Sequence, residues 1–198
     1  MVEIKEVLTR CARKDFESLP DVLYRDAPQF IPSIRTYDID NWNPRKNQSL
    51  EFCEGKRFVA YRNGKIAGRI AAILNRHANE AQITSRICFS QVDFVDDIEV
   101  SSALFCAVER YALEKGCNEV YGPMGFTELE RMGLLVKGYE HRGMLTTNYN
   151  PPYYPSHLEM LGYVRAQEWV ECQLSMPTDK RTALQLQKLS GRVKSFNR

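Results

Sequence analysis

The sequence predicts an α/β chain with a mixed, mostly antiparallel central sheet flanked by helices. Three observations carry that expectation. Residues 57–61 (RFVAY) and 66–74 are apolar runs joined through Asn63-Gly64, a pair that readily takes the positive φ angles of a tight hairpin turn. Val100, Leu104, Ala107, Val108 and Tyr111 recur at helical spacing. A strand-like run precedes that helix and a shorter one follows it, so strands and helices alternate, while the hairpin makes much of the sheet antiparallel.

Each element has a local reason. Residues 28–56 hold Pro28, Pro32 and Pro44 with Asn41, Asn43, Asn47 and Gly55, which excludes one long helix. Phe30, Tyr37 and Trp42 in the same stretch predict a packed segment that covers a ligand cleft. In the second hairpin strand Gly68 removes bulk. Residues 86–95 form the third strand, and its hydrophobic phase changes around Ser90–Gln91, as a bulge requires. Asp96 or Asp97 then caps a helix, with Glu99 closing a capping box, and Lys115-Gly116 stops it. Residues 119–121 are a short strand ended by Gly122-Pro123. Residues 125–138 read as a loop or short helix, 144–147 as a strand, 155–161 as a short helix stopped by Gly162, and 163–174 as a closing strand.

Composition narrows the function classes. A chain of 198 residues, 43% hydrophobic and 26% charged, is expected to fold as one domain over residues 1–178. Residues 179–198 are a basic tail or linker helix, with Lys180, Arg181, Lys188, Arg192, Lys194 and Arg198 against the single acid Asp179. A net charge of +2 is not that of a strongly basic nucleic-acid binder. The longest strictly aliphatic run, Ile70 to Leu74, is far short of the roughly 20 residues of a membrane helix. The start, MVEIKEVLTR, lacks the apolar core of a signal peptide, which leads to the expectation of a cytoplasmic protein with reduced thiols. The 6 cysteines include no CxxC pair and none is at finger spacing from His77, His141 or His157, so no metal site is expected.

The ordered set Phe58-Val59-Ala60-Tyr61, Gly64, Gly68-Arg69-Ile70, the strand-to-helix step from Val95 to Leu104, and Leu161-Gly162-Tyr163 resembles the GNAT superfamily of acyl-CoA-dependent N-acyltransferases. The resemblance covers roughly residues 1–175. More narrowly, GRIAAILNRHANE, GLLVKGYE and YNPPYYPSHLEMLGYV resemble a little-characterised bacterial GNAT-like group whose members are often longer, with a second half of the same kind. The resemblance implies a splayed pair of strands that admits acetyl-CoA or another acyl-CoA, and a small amine, amino-acid derivative or peptide amine as acceptor. It implies a homodimer or a second GNAT-like half as partner, and neither membrane nor nucleic acid. Phe94, Val95, Ser101, Ser102 and Asn150 are the positions it points to for cofactor binding.

The sequence departs from the family at the diphosphate seat. The glycine-rich loop that lets the backbone approach phosphates is missing, and Asp96, Asp97 and Glu99 stand there instead. Amine acyl transfer needs a group to take the amine proton, a donor for the thioester oxygen and a proton for the leaving thiolate. Glu128 and Asp93 are the candidate bases and Tyr154, beside Tyr149 and Tyr153, the candidate acid. The family's usual tyrosine position holds Leu158. His141 and His157 qualify by residue type alone and read as surface positions. The departures leave two further readings open: a non-catalytic scaffold or dimer half, and a transferase whose donor is a carrier protein or an aminoacyl-tRNA.

Overall fold

A computed structural model of the chain describes residues 1–127, 129–172, 175 and 179–196, with side chains to residue 190. Two compact units are present, Met1–Val164 and Arg165–Arg198. The first holds five strands, β1 (Val2–Glu6), β2 (Cys53–Arg62), β3 (Lys65–Asn75), β4 (Arg86–Phe94) and β5 (Glu119–Tyr121), in the spatial order of the chain. Its helices are α1 (Arg10–Leu23), α2 (Arg35–Asp40), α3 (Arg76–Gln82), α4 (Ile98–Glu114) and α5 (Tyr153–Met160). The second unit contains α6 (Lys180–Phe196). No helix among the described residues is long and apolar enough to cross a membrane.

The sheet is antiparallel except at the β4–β5 pair, which is parallel. Asn63 (φ 51°) and Gly64 (φ 75°) make the predicted turn between β2 and β3. The period of two along each strand sorts side chains onto two faces. Phe58, Ala60, Ile70, Ala72, Ile87 and Phe89 pack with Val100, Leu104 and Val108 of α4 and with Tyr154 of α5. Val59 and Ala71 on the other face pack with Ala12 and Phe16 of α1, with Trp42 against them. The α4 residues read from the sequence as its apolar stripe are all buried, and Gly116 (φ 72°) follows its last turn.

The predicted bulge lies in β4. Ala71 faces Ser90 and Arg69 faces Asp93, so one residue of β3 is opposed by two of β4, Gln91 and Val92. Gln91 carries the strain, with φ 44°. The extra residue reverses the phase of the strand. It turns Phe94 into the α4 core and brings Asp93 to the α1 face beside Arg69.

Three local expectations are corrected. Residues 144–147 form no strand; Thr147 makes an isolated bridge with Met132, and its hydroxyl accepts the Met144 N–H within a local turn. The described residues of 163–172 lie in no strand either, and Val164, Trp169 and Val170 are exposed. Residues 173 and 174 lie outside the described residues. Residues 28–56, read as irregular, contain α2 and one 3-10 turn at Gln48–Glu51.

The strand glycine has a packing reason. A Cβ on Gly68 would meet Leu104 Cδ1 at 2.7 Å and Val100 Cγ1 at 3.1 Å. Gly68→Ala is expected to cost about 1–3 kcal/mol and lower Tm by several degrees. An unchanged thermal melt would mean that α4 is not seated on β3 as described.

Candidate functional site

The α1 face of the sheet carries a buried polar network. Arg69 Nε donates to Asp93 Oδ2 at 2.6 Å, and Arg69 Nη1 donates to the Phe16 carbonyl at 2.9 Å. Tyr24, just after α1, donates to Asp93 Oδ1 at 2.7 Å. Its hydroxyl also lies 2.9 Å from that of Tyr154, which in turn accepts the Phe94 N–H at 2.7 Å. The Tyr154 ring stacks on Phe94 with centroids 4.0 Å apart. Burial holds the Tyr24 and Tyr154 phenols well above their ordinary pKa, with the Asp93 carboxylate adding to it. Both hydroxyls therefore stay protonated and act as neutral donors.

Of the sequence candidates, the fold brings Asp93, Phe94 and Tyr154 together. Val95 continues that strand end and donates its N–H to Ala67. Glu128 lies outside the described residues. Asn150, 2% exposed, holds its own loop: Oδ1 accepts from Leu135 N–H and Nδ2 donates to the Leu135 and Pro151 carbonyls. Ser101 is buried and lies 2.9 Å from His157 Nδ1, whose Nε2 is 3.0 Å from Asp96 Oδ1. His157 is thus 5% exposed, not a surface residue, because α5 turns it toward the start of α4. Ser102 is half-buried beside Ser101.

The first turn of α4 is closed by its own side chains. Asp97 is the N-cap and accepts the Glu99 N–H at 3.0 Å. Glu99 forms no capping box; it pairs with Arg62, whose Nε is also 3.3 Å from Asp97. The Val100 and Ser101 N–H groups both go to the Asp97 carbonyl. Three carboxylates and a capped helix end do not fit a diphosphate, which needs free N–H groups and positive potential.

A second feature was missed from sequence. A narrow cleft of about 30 Å³ lies on the α1 face, lined among others by Glu17, Phe30, Ser33, Asp38, Arg57, Arg69 and Gln91. Glu17 is one of its walls, and its Oε1 is buried without a hydrogen-bond partner among the described residues. A native acceptor left in that state is rare and costs about 1–3 kcal/mol unless something binds it. The bulge residue Gln91 is at the cleft wall, and its Oε1 accepts from Trp42 Nε1 at 3.0 Å. The only sequence signal for Glu17 is its place beside the apolar stripe Ala12–Phe16–Leu19 of α1.

The network sets a pH limit. Tyr24 and Tyr154 have raised native pKa values, so their stabilisation is fully present below the unfolded-chain tyrosine value of about 10 and is lost as pH rises beyond it. The denaturant midpoint is expected to hold to about pH 9.5 and then fall, with tyrosinate absorbance from these two groups appearing only on unfolding. Tyr24→Phe, which strips a partner from Asp93 and Tyr154 at once, is expected to cost about 1–3 kcal/mol. A midpoint flat through pH 11 in both proteins would contradict the network.

No family model matches the chain. Protein YghO of Escherichia coli is 28% identical over 160 residues, which is 81% of this chain and 41% of that protein. Bacterial ceramide synthase of Caulobacter vibrioides is 28% identical over 165 residues, 82% of this chain and 42% of that protein. The chain thus spans about two fifths of the length of these relatives. A solved structure from Clostridium acetobutylicum, described as a "predicted acetyltransferase with acetyl-CoA", matches with a TM-score of 0.51 at 10% identity, over 87% of this chain and 96% of that one. With the strand order and the bulged β4, that likeness gives the chain the fold of the GNAT superfamily.

Proposed function

We propose that the chain is an N-acyltransferase that moves an acyl group from a thioester, an acyl-CoA in the first instance, to an amine held in the α1-face cleft. The observation that carries this reading is the buried, unpartnered Glu17 Oε1 in a cleft that also meets the β4 bulge. Glu17 is suited to hold the acceptor ammonium and take its proton, which frees the nitrogen lone pair. A bulge leaves a residue out of the ladder, and in this reading a main-chain N–H near Gln91 donates to the thioester carbonyl oxygen.

Asp93 and Tyr154 act in this reading as positioning residues. Both are nearly inaccessible, and each is held by hydrogen bonds within the chain. They fix the end of β4 rather than touch the amine. An apolar chain on the substrate would find Ile34 and Tyr37 of the α2 region exposed, and also Met144 and Leu145. The segments that precede them touch: Gly143 N–H donates to the Gln29 carbonyl at 3.1 Å, and Arg131 Nη2 donates to the Ile31 carbonyl at 2.9 Å. This rim and the ceramide synthase relative both favour a long-chain amine as acceptor or a long-chain acyl group as donor.

The closed start of α4 favours a second reading, a scaffold domain that completes a cleft for a partner. The same closure suits a carrier-protein thioester, whose carrier docks without a diphosphate at that helix.

The experiment is release of free thiol from acetyl-CoA, a long-chain acyl-CoA and an acyl carrier protein thioester in the presence of short and long amines. Turnover with at least one donor is expected, and Glu17→Gln is expected to lower kcat/KM by about 10²–10³-fold with the melt unchanged. Absence of thiol release from every donor, or a Glu17→Gln chain as active as the parent, would favour the scaffold.

A further inference from the structure

We propose that α6 docks on an anionic lipid surface: the helix lies along the surface, with its apolar stripe against the acyl chains and its cations on the headgroup charge. The inference is independent of the acyl-transfer reading, which concerns the first unit alone. The family resemblance, which implied no membrane, ends near residue 175 and does not reach this helix.

The basic tail is the sequence motif that the candidate site leaves unused. Between Lys180 and Phe196 stand Lys180, Arg181, Lys188, Arg192 and Lys194, and no acid. Asp179, just before them, accepts the Thr182 N–H at 2.7 Å and so serves the first turn of the helix. Thr182, Leu186, Leu189, Val193 and Phe196 follow one another at spacings of four, three, four and three. At helical pitch these positions share about 80° of arc. The same geometry puts positions 181, 188 and 192 on one flank of the stripe and 180 and 194 on the other. Leu186 and Leu189 are 46% and 54% exposed, and Lys180, Arg181 and Lys188 are exposed as well.

Charge decides what covers such a face. A second copy of the helix would bring five more cations to the seam and no acid to meet them. A nucleic acid would match the cations and leave the leucines in water. An anionic lipid surface meets both requirements in one plane. The stripe enters the acyl boundary, and long Lys and Arg stems on either side of it reach the headgroups. Each cation held near such a surface raises binding about fivefold, so the five together outweigh a stripe this short. At 17 residues with five charges, α6 does not cross a bilayer and has to lie on it.

The test is co-sedimentation of the full chain with vesicles of phosphatidylcholine alone and with vesicles that also hold about 30% phosphatidylglycerol. Binding to the anionic vesicles is expected to be at least about tenfold stronger. It is expected to fall at least about tenfold as salt rises from about 0.05 to 0.5 M. Leu186→Ser with Leu189→Ser is expected to weaken it at least about tenfold, with the melt of the first unit unchanged. Arg181→Gln with Lys188→Gln is expected to weaken anionic binding by a similar factor and to leave neutral binding as it was. Equal binding to both vesicles, binding to neither, or binding that survives the leucine pair overturns the proposal. So does a dimer in light scattering that the leucine pair dissociates, since a second copy then covers the stripe. Binding of a DNA or RNA duplex that exceeds vesicle binding and ignores the leucine pair overturns it too.

Discussion

The Arg69–Asp93 ion pair is the contact on which the rest of the first unit depends. It joins β3 to β4 at the bulge, both side chains are about 10% exposed, and its two members reach α1 through the Phe16 carbonyl and through Tyr24. Buried ion pairs do little for net stability when compared with apolar replacements, but losing one member leaves a buried charge and costs about 3–5 kcal/mol. Here the pair has a geometric consequence. It fixes the residue at which β4 changes phase, and so decides that Phe94 is core while Gln91 and Asp93 are on the cleft side.

Through Tyr24 the same pair reaches Tyr154 and hence α5. Four elements distant in sequence meet at hydroxyl and carboxyl groups that are largely shielded from water. In such surroundings each hydrogen bond is stronger and each missing one more costly than at the surface. That rigidity suits a scaffold for a site rather than the reacting groups themselves. The cleft beside it has the opposite character: Glu17 lines it, and one of its carboxylate oxygens is buried without a hydrogen-bond partner among the described residues. The molecule thus separates a satisfied network from an unsatisfied carboxylate a few residues away.

The start of α4 is closed by local chemistry. Asp97 takes the N–H that an anion would use, Arg62 neutralises Asp97 and Glu99, and His157 meets Asp96. The helix dipole is satisfied internally, so this end of α4 stabilises the unit without a ligand. The fold is shared with a solved structure described as a predicted acetyltransferase.

The hairpin, the stripe on α4, its stop at Gly116 and the bulge near Ser90–Gln91 were legible in the sequence, because each follows from contacts within a few residues: turn dihedrals, side-chain period and caps. The strand expected at 144–147, and the described part, residues 163–172, of the strand expected at 163–174, were not, because a strand forms only where a neighbouring edge supplies hydrogen bonds. The partners of Asp93 and Tyr154 were equally out of reach: Tyr24 is 69 residues from one and 130 from the other. The sequence by itself determined the class of the fold and the residue types available for chemistry. Only the tertiary structure decided which of them are satisfied, like Asp93, Tyr154 and Asn150, and which, like Glu17, are left facing a cleft, because satisfaction of a buried polar group depends on what distant elements bring to it.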